Sequence, residues 1–262
     1  MHKPDPKAAA LHDEGRREFL KFTPSGNARA QDLFRQAFTA DPKFARAHGH
    51  LAYAQIVAWR HGFANAKDSD VADALGHARE AVGLDPSDYD NHWSLGAALV
   101  YNGFHEDGLS AYEEALASYA LATEKDPVDY FTDLLVEMAE TLILCGRPAD
   151  GVRQVRRAKR INPAHRAHYD WVLGWACLFA GRYVEALEAL TARPSPPPIV
   201  VLDTVVALVR LGRMDEARSR VNALRGRRPS LSTKNDAGRW PFRDREADRA
   251  YRADLMAAGV PE

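Results

Sequence analysis

Four times along this chain a helical pattern runs into a proline preceded by an acid or an amide: Asp41-Pro42, Asp85-Pro86, Asp126-Pro127 and Asn162-Pro163. The residue before a proline is pushed out of the α region, so each pair closes a helix. The prolines stand 44, 41 and 36 residues apart, an irregular unit. A second ruler runs in phase with the first. Gly103, Gly146, Gly181 and Gly212 each precede by five residues a small residue, Gly108, Gly151, Ala186 or Ala217. The glycine supplies turn geometry and the small residue lets two helix backbones approach. The two rulers together predict a chain of helical hairpins, none able to bury its apolar side alone.

The best-formed copy spans residues 90–127, with the core DNHWSLGAALVYNGFHEDGLSAYEEAL. Trp93, Leu95, Gly96, Leu99 and Tyr101 mark a first helix, YNGF a turn, and Gly108, Tyr112, Ala115 and Leu116 a second. This pattern resembles the tetratricopeptide repeat, a unit of about 34 residues reading W-x2-L-G-x2-Y, then A-x3-F, then P. The resemblance implies an all-α fold, a right-handed α-α superhelix of about six hairpins with a C-terminal capping helix. The repeats are expected over residues 8–42, 44–86, 88–127, 128–163, 164–193 and 199–229, the cap over 243–258, all in one solenoid domain. The second repeat carries about ten extra residues, WRHGFANAKDSD, at its turn, and the third a second helix prolonged through ALASYALATEKDP. RPSPPP after the fifth cannot stay helical. A polar linker, SLSTKNDAGRW, leads to the last helix.

Particular stretches narrow the resemblance. ALHDEGRREFLKFTPSGNARAQDLFRQAFTADPKFARAH, YDWVLGWACLFAGRYVEAL, LVRLGRMDEAR and the closing PFRDREADRAYRADLMAAGVPE resemble the C-terminal repeat regions of bacterial class III adenylate or guanylate cyclases and related winged-helix regulators. That family closes on P-F-x-D, an acidic helix and G-L-x-x-A-G-L-P-E; here MAAGVPE stands at the end, with Met256 and Val260 replacing the usual residues. The similarity covers the repeat region alone. With no cyclase domain or winged helix before Ala8, neither nucleotide cyclisation nor DNA binding is expected to carry over. The resemblance implies a regulatory or interaction module of bacterial signalling.

Composition bounds the rest. Among 262 residues, 46% are hydrophobic and 27% charged, enough for a substantial core. No apolar run of about 18 residues exists to span a membrane, and the N-terminus lacks the apolar region of a secretory signal. A cytoplasmic protein is expected, with Cys145 and Cys177 as buried, reduced thiols. The net charge is −1, yet residues 210–252 hold 13 Lys+Arg against 6 Asp+Glu.

In tetratricopeptide arrays the first helix of each pair lines the concave groove. The usual repeat tryptophan sits four residues before the glycine of its L-G pair and packs inside its own hairpin. Trp93 and Trp171 sit three residues before Gly96 and Gly174, which rotates them by about 100° around the helix, toward the groove. Trp175 shares the face of Trp171, and Tyr53 and Tyr101 fall near equivalent groove-facing places. These five rings, with His92 and His168 nearby, are the candidate binding residues for a partner helix, an extended peptide or a flat small molecule. Their alternative role is core between adjacent repeats.

Other chemistries find less support. A carboxylate clamp needs basic first helices, whereas these show Asp90, Trp93, Asp133, Glu140 and Trp171. His48 with His50, and His165 with His168 and Asp170, could be drawn as metal pairs, but no third ligand is fixed by spacing, so no metal and no cofactor are expected. No motif for phosphate binding or nucleophilic catalysis occurs, and the chain is not expected to be an enzyme unless a cluster such as Glu140, His92 and Asp90 does the chemistry. The six Lys/Arg from Gly151 to Tyr169 read as a solvated face; nucleic acid is not an expected partner. The reading is a scaffold that binds protein or peptide, with homodimerisation through the third repeat or the last helix left open. A small-molecule sensor or an enzyme using the same aromatic cavity is the alternative.

Overall fold

In the computed structural model, residues 2–63, 66–122, 128–192, 194–237 and 239–262 are described. Among them the chain is all-helical, with 14 helices and no strands. Six hairpins follow one another: α1 (Pro6–Phe19) with α2 (Pro24–Ala40), α3 (Ala45–Arg60) with α4 (Ser69–Leu84), α5 (Tyr89–Tyr101) with α6 (His105–Leu121), α7 (Val128–Leu144) with α8 (Pro148–Ile161), α9 (Ala167–Phe179) with α10 (Tyr183–Leu190), and α11 (Pro198–Arg210) with α12 (Met214–Arg227). A one-turn α13 (Thr233–Asp236) and a last helix, α14 (Arg245–Ala257), complete the chain. Two compact units result, Met1–Lys125 and Asp126–Glu262. The Asp126-Pro127 closure, two residues of the turn insertion and the tail of the third repeat lie outside the described residues.

Both rulers have a backbone cause. Gly103, Gly146, Gly181 and Gly212 adopt φ of +86°, +78°, +73° and +72°, the left-handed region that a side chain resists. The residue after each one donates its N–H back over five positions, as Phe104 does to the Leu99 carbonyl at 2.9 Å and Arg182 to Cys177 at 2.9 Å. This bond closes the helix end and aims the chain into the second helix. At the other end, Asp41, Asp85 and Asn162 leave the helix with φ of −139°, −145° and −122°. Each still bonds the last turn through its own N–H, and the proline after it bars another turn.

Within a hairpin the two helices interlock at glycines. The ring of Phe34 on α2 fills the notch at Gly15 on α1, Tyr112 on α6 the notch at Gly96 on α5, and Leu190 on α10 the notch at Gly174 on α9. A Cβ on Gly15 or Gly174 would stand 2.6 or 2.5 Å from those side chains. In the reverse direction, Gly108 on α6 lies against Val100 and the Gly96 carbonyl of α5. Phe34 and Tyr112 are both 1% exposed, so these knobs are the centre of each hairpin.

The last helix packs on α11, and α11 on α9, within the C-terminal unit. Its anchor is Asp203 of α11, a 1%-exposed carboxylate that accepts from Trp171 Nε1 of α9 and from the Tyr251 hydroxyl of α14, each at 2.7 Å. Arg210 of α11 reaches Asp254 of α14 at 2.5 Å. The Arg243 N–H bonds the Leu144 carbonyl at the end of α7 at 3.0 Å. Burial raises the Asp203 carboxyl to about 6, and the Trp171 and Tyr251 donors offset only part of that cost.

Two measurements check this account. Gly108→Ala should lower the unfolding free energy by roughly 1–3 kcal/mol, because the methyl lands 2.5 Å from Val100 and 3.0 Å from backbone. Gly76→Ala, on α4 with nothing within 4 Å, should raise it by roughly 0.5–1 kcal/mol. Urea titration of both variants reads the signs. Asp203 sets a pH dependence: its folded value exceeds the ordinary carboxylate value of 3.8, so the folded state holds the extra proton between 3.8 and about 6. Stability contributed by this group is therefore present at acid pH and falls as pH rises through that window, by roughly 2–3 kcal/mol in full. The difference in urea stability between wild type and Asp203→Asn, measured from pH 4 to 7, should show this slope; a flat difference contradicts it.

Candidate functional site

In the N-terminal unit the first helices α1, α3 and α5 carry two parallel rows. One is aromatic: Phe19 of α1 lies 5.8 Å from Tyr53 of α3, which lies 5.9 Å edge-on from Trp93 of α5. All three rings are partly exposed. A turn or two along the same helices, Trp59 meets Tyr101 at 6.0 Å. Tyr53 and Tyr101 were expected at equivalent places; instead Tyr53 faces Trp93, and Tyr101 stands eight residues further along α5, about two turns away. Tyr53, Trp59 and Tyr101 also pack against the buried cluster that contains Ala52, Ile56 and Ala98.

The second row is polar. His12 Nε2 of α1 lies 2.7 Å from His50 Nδ1 of α3, and His50 Nε2 donates to Asp90 of α5 at 2.7 Å. Burial, and the neighbouring His50, push the His12 imidazole down to about 2, so it is neutral. His12 and His50 stack at 4.8 Å, with Phe34 and Phe44 beside them. Arg46 holds Asp88 with two bonds of 2.6 and 3.1 Å next to this row. Three successive first helices are thereby tied by charge-assisted and imidazole hydrogen bonds that a sequence reading of separate histidines does not reveal. His48 and His50 go to different partners: His48 stacks on Phe38 at 4.3 Å while His50 serves the row. His92 turns to the preceding loop and donates to the Pro86 carbonyl at 2.8 Å.

The C-terminal unit treats its first-helix face differently. The chain's own Trp240 lies against both Trp171 and Trp175 of α9, and Phe242 against Trp175. Trp240 lies 6.1 Å from Trp171 and 4.8 Å from Trp175, and Phe242 lies 6.0 Å from Trp175. Phe179 and Tyr251 close the cluster at 5.0 Å from Phe242 and 6.0 Å from Phe179 respectively. Trp175 is 1% exposed and Trp171 9%, so Trp175 is core and offers no surface to a partner. Both were missed as partners of these rings: Trp240 ends a stretch whose polar composition reads as linker, and Phe242 opens the stretch assigned to the last helix.

His168 and His165 also part company. His165 Nε2 bonds Asp170 at 3.0 Å, and Lys159 shares the same carboxylate at 2.7 Å. His168 faces Glu140 of α7 at 3.2 Å, beside the Trp171 ring. The basic stretch from α8 to the start of α9 is laced with acids: Arg153 pairs with Asp150, Arg156 with Glu185 and Arg166 with Asp133. Both cysteines are buried thiols, and burial raises that of Cys177. A cavity of about 460 Å³ opens between α1 and α2, lined by Lys7, Leu11, Arg35, Gln36, Thr39 and Ala40, apart from the aromatic row. No described helix is long and apolar enough to cross a membrane.

No family model matches the chain. A Rhizobium meliloti (strain 1021) protein that bears the name adenylate cyclase 3 is 28% identical over 99 residues, 38% of this chain and 17% of that protein. The match thus spans less than a fifth of its relative's length. Among solved structures, the type IV pilus biogenesis factor PilW has a TM-score of 0.66 at 14% identity, over 86% of this chain and 96% of its own. Pseudomonas aeruginosa PilF has a TM-score of 0.60 at 16% identity, over 87% and 95%. Human IFIT1, solved as a dimer with PPP-AAAA, reaches 0.65 at 17% identity, over 83% of this chain and 49% of its own. With the glycine turns, the proline closures and the interlocked hairpins, these likenesses identify the fold as that of the tetratricopeptide repeat.

Proposed function

We propose that this chain is a protein-interaction module whose N-terminal unit holds a peptide segment or a partner helix along the face of α1, α3 and α5. The observation that carries the reading is the row Phe19, Tyr53 and Trp93, one partly exposed ring from each first helix, in contact at 5.8 and 5.9 Å. Aromatic anchors dominate interface energetics, at roughly 2 kcal/mol or more for a hot spot. The polar row of His12, His50 and Asp90 beside it fixes the three helices relative to one another, which lowers the ordering cost of binding. The C-terminal unit offers an internal precedent, since its own first-helix face takes a segment bearing Trp240, Pro241 and Phe242. The resemblance to the repeat regions of bacterial cyclases and regulators, and the partial match to the Rhizobium protein, support a role in cytoplasmic signalling.

Panning a displayed peptide library against the full chain tests the reading. Enriched peptides should carry aromatic residues, and Trp93→Ala should bind them at least about tenfold more weakly with little change in its unfolding midpoint. Trp175→Ala should instead cost roughly 3–5 kcal/mol of stability, as a large buried ring does. If Trp93→Ala unfolds as readily as Trp175→Ala, or if no enriched peptide distinguishes it from wild type, the N-terminal face is core and the reading fails.

A further inference from the structure

Two of the second helices carry opposite charge. α6 reads HEDGLSAYEEALASYAL, with four acids and no Lys or Arg. Past the acids of its first turn, α12 with its cap reads ARSRVNALRGRR over residues 217–228, with five arginines and no acid. Each helix turns a small set of residues into its hairpin: Gly108, Tyr112 and Ala115 on α6, Ala217, Val221 and Leu224 on α12. The charged side chains occupy the opposite, exposed side. The contrast runs through the whole chain, since residues 210–252 hold 13 Lys+Arg against 6 Asp+Glu, a net +7 that leaves −8 for the rest of a chain of net −1.

The charges form rows of matching length. At about 100° and 1.5 Å per residue, residues seven apart lie on one line of about 10.5 Å. Arg218 and Arg225 follow one edge of the exposed face of α12, and Arg220 and Arg227 the other, with Ser219, Ala223 and Gly226 between them. On α6, Asp107 and Glu114 follow one edge and Glu113 the other, with Ser110 and Ala117 between. All of these charges are exposed, and none forms an ion pair among the described residues. The acids near α12 are engaged elsewhere, Glu216 with Arg213 at 2.6 Å and Asp236 with Arg228 at 2.5 Å. The acid rows lie about 110° apart and the arginine rows about 200° apart across the exposed side, so one face nests within the other. Arginine is long enough to reach round from the edges.

We propose that the α6 face of one copy of this chain docks on the α12 face of a second copy. Carboxylates then meet guanidinium groups, a pairing that arginine's planar fork makes with two parallel bonds. Every copy carries both faces, so the contact is heterologous and assembly extends from copy to copy. Nucleic acid and membrane suit α12 less well. It has no aromatic residue on which a base could stack, and no exposed large apolar side chain to enter a bilayer. A complementary acidic face is present in the chain itself. The contact uses second helices and does not depend on what the aromatic row of α1, α3 and α5 binds.

Sedimentation equilibrium of the full chain over a wide range of concentration tests the contact. The average mass should rise with concentration at low salt, and self-association should weaken at least about tenfold at about 0.5 M salt, where screening shortens to about 4 Å. Arg218→Glu with Arg225→Glu, and separately Glu113→Gln with Glu114→Gln, should each weaken it at least about tenfold with unchanged helix content by circular dichroism. At a concentration where each variant is monomeric, a mixture of the two keeps one intact α6 face and one intact α12 face. It should form a complex of two chains and no larger. A wild type that is monomeric throughout overturns the proposal. So does association that salt or either variant leaves unchanged, or a mixture that stays monomeric. A monomeric wild type that binds a single-stranded RNA oligonucleotide through Arg218 and Arg225 assigns the α12 face to nucleic acid instead.

Discussion

Within a hairpin the two helices approach closely at a glycine, and the outer faces of the first helices depend on it. Tyr112 seated over Gly96, and Gly108 seated on Val100 and the Gly96 carbonyl, set how far α5 stands from α6. A hairpin so locked is rigid, and it presents the other side of its first helix at a defined height and angle. That is why side chains on successive first helices meet in register. On α3, His50 and Tyr53 are three residues apart, and on α5 their contacts Asp90 and Trp93 are three residues apart as well. Loosening one hairpin would blur both rows together.

The two units use this common construction in opposite ways. In the N-terminal unit the first-helix face is tied internally by a buried imidazole–carboxylate row and keeps a strip of partly exposed rings. In the C-terminal unit the same kind of face is finished by the chain itself, with Trp240 and Phe242 laid over Trp171 and Trp175. The buried Asp203 is part of that arrangement. It accepts from a ring on α9 and a hydroxyl on α14, and so links the covered face to the helix that follows the cover.

How much of this was legible in the sequence follows from the range of the interactions. The turn glycines and the proline closures are local backbone chemistry, and a local reading finds them. The register of Trp93 and Trp171 relative to Gly96 and Gly174 is also local, and on it rests the expectation that these rings point out of their own hairpins. What meets them is set by residues far along the chain. Trp240 sits at the end of SLSTKNDAGRW, whose polarity conceals an aromatic anchor. The histidines show the same limit. Neighbours in sequence, His48 with His50 and His165 with His168, go to different partners on different helices.

The cover over α9 has one more consequence, which concerns competition. Trp240 and Phe242 belong to the same chain as the rings they cover, so they face α9 as a tethered ligand at an effective concentration on the order of millimolar. A free peptide of similar chemistry must exceed that advantage to enter. Access to this face of α9 is then set by tethering as much as by shape.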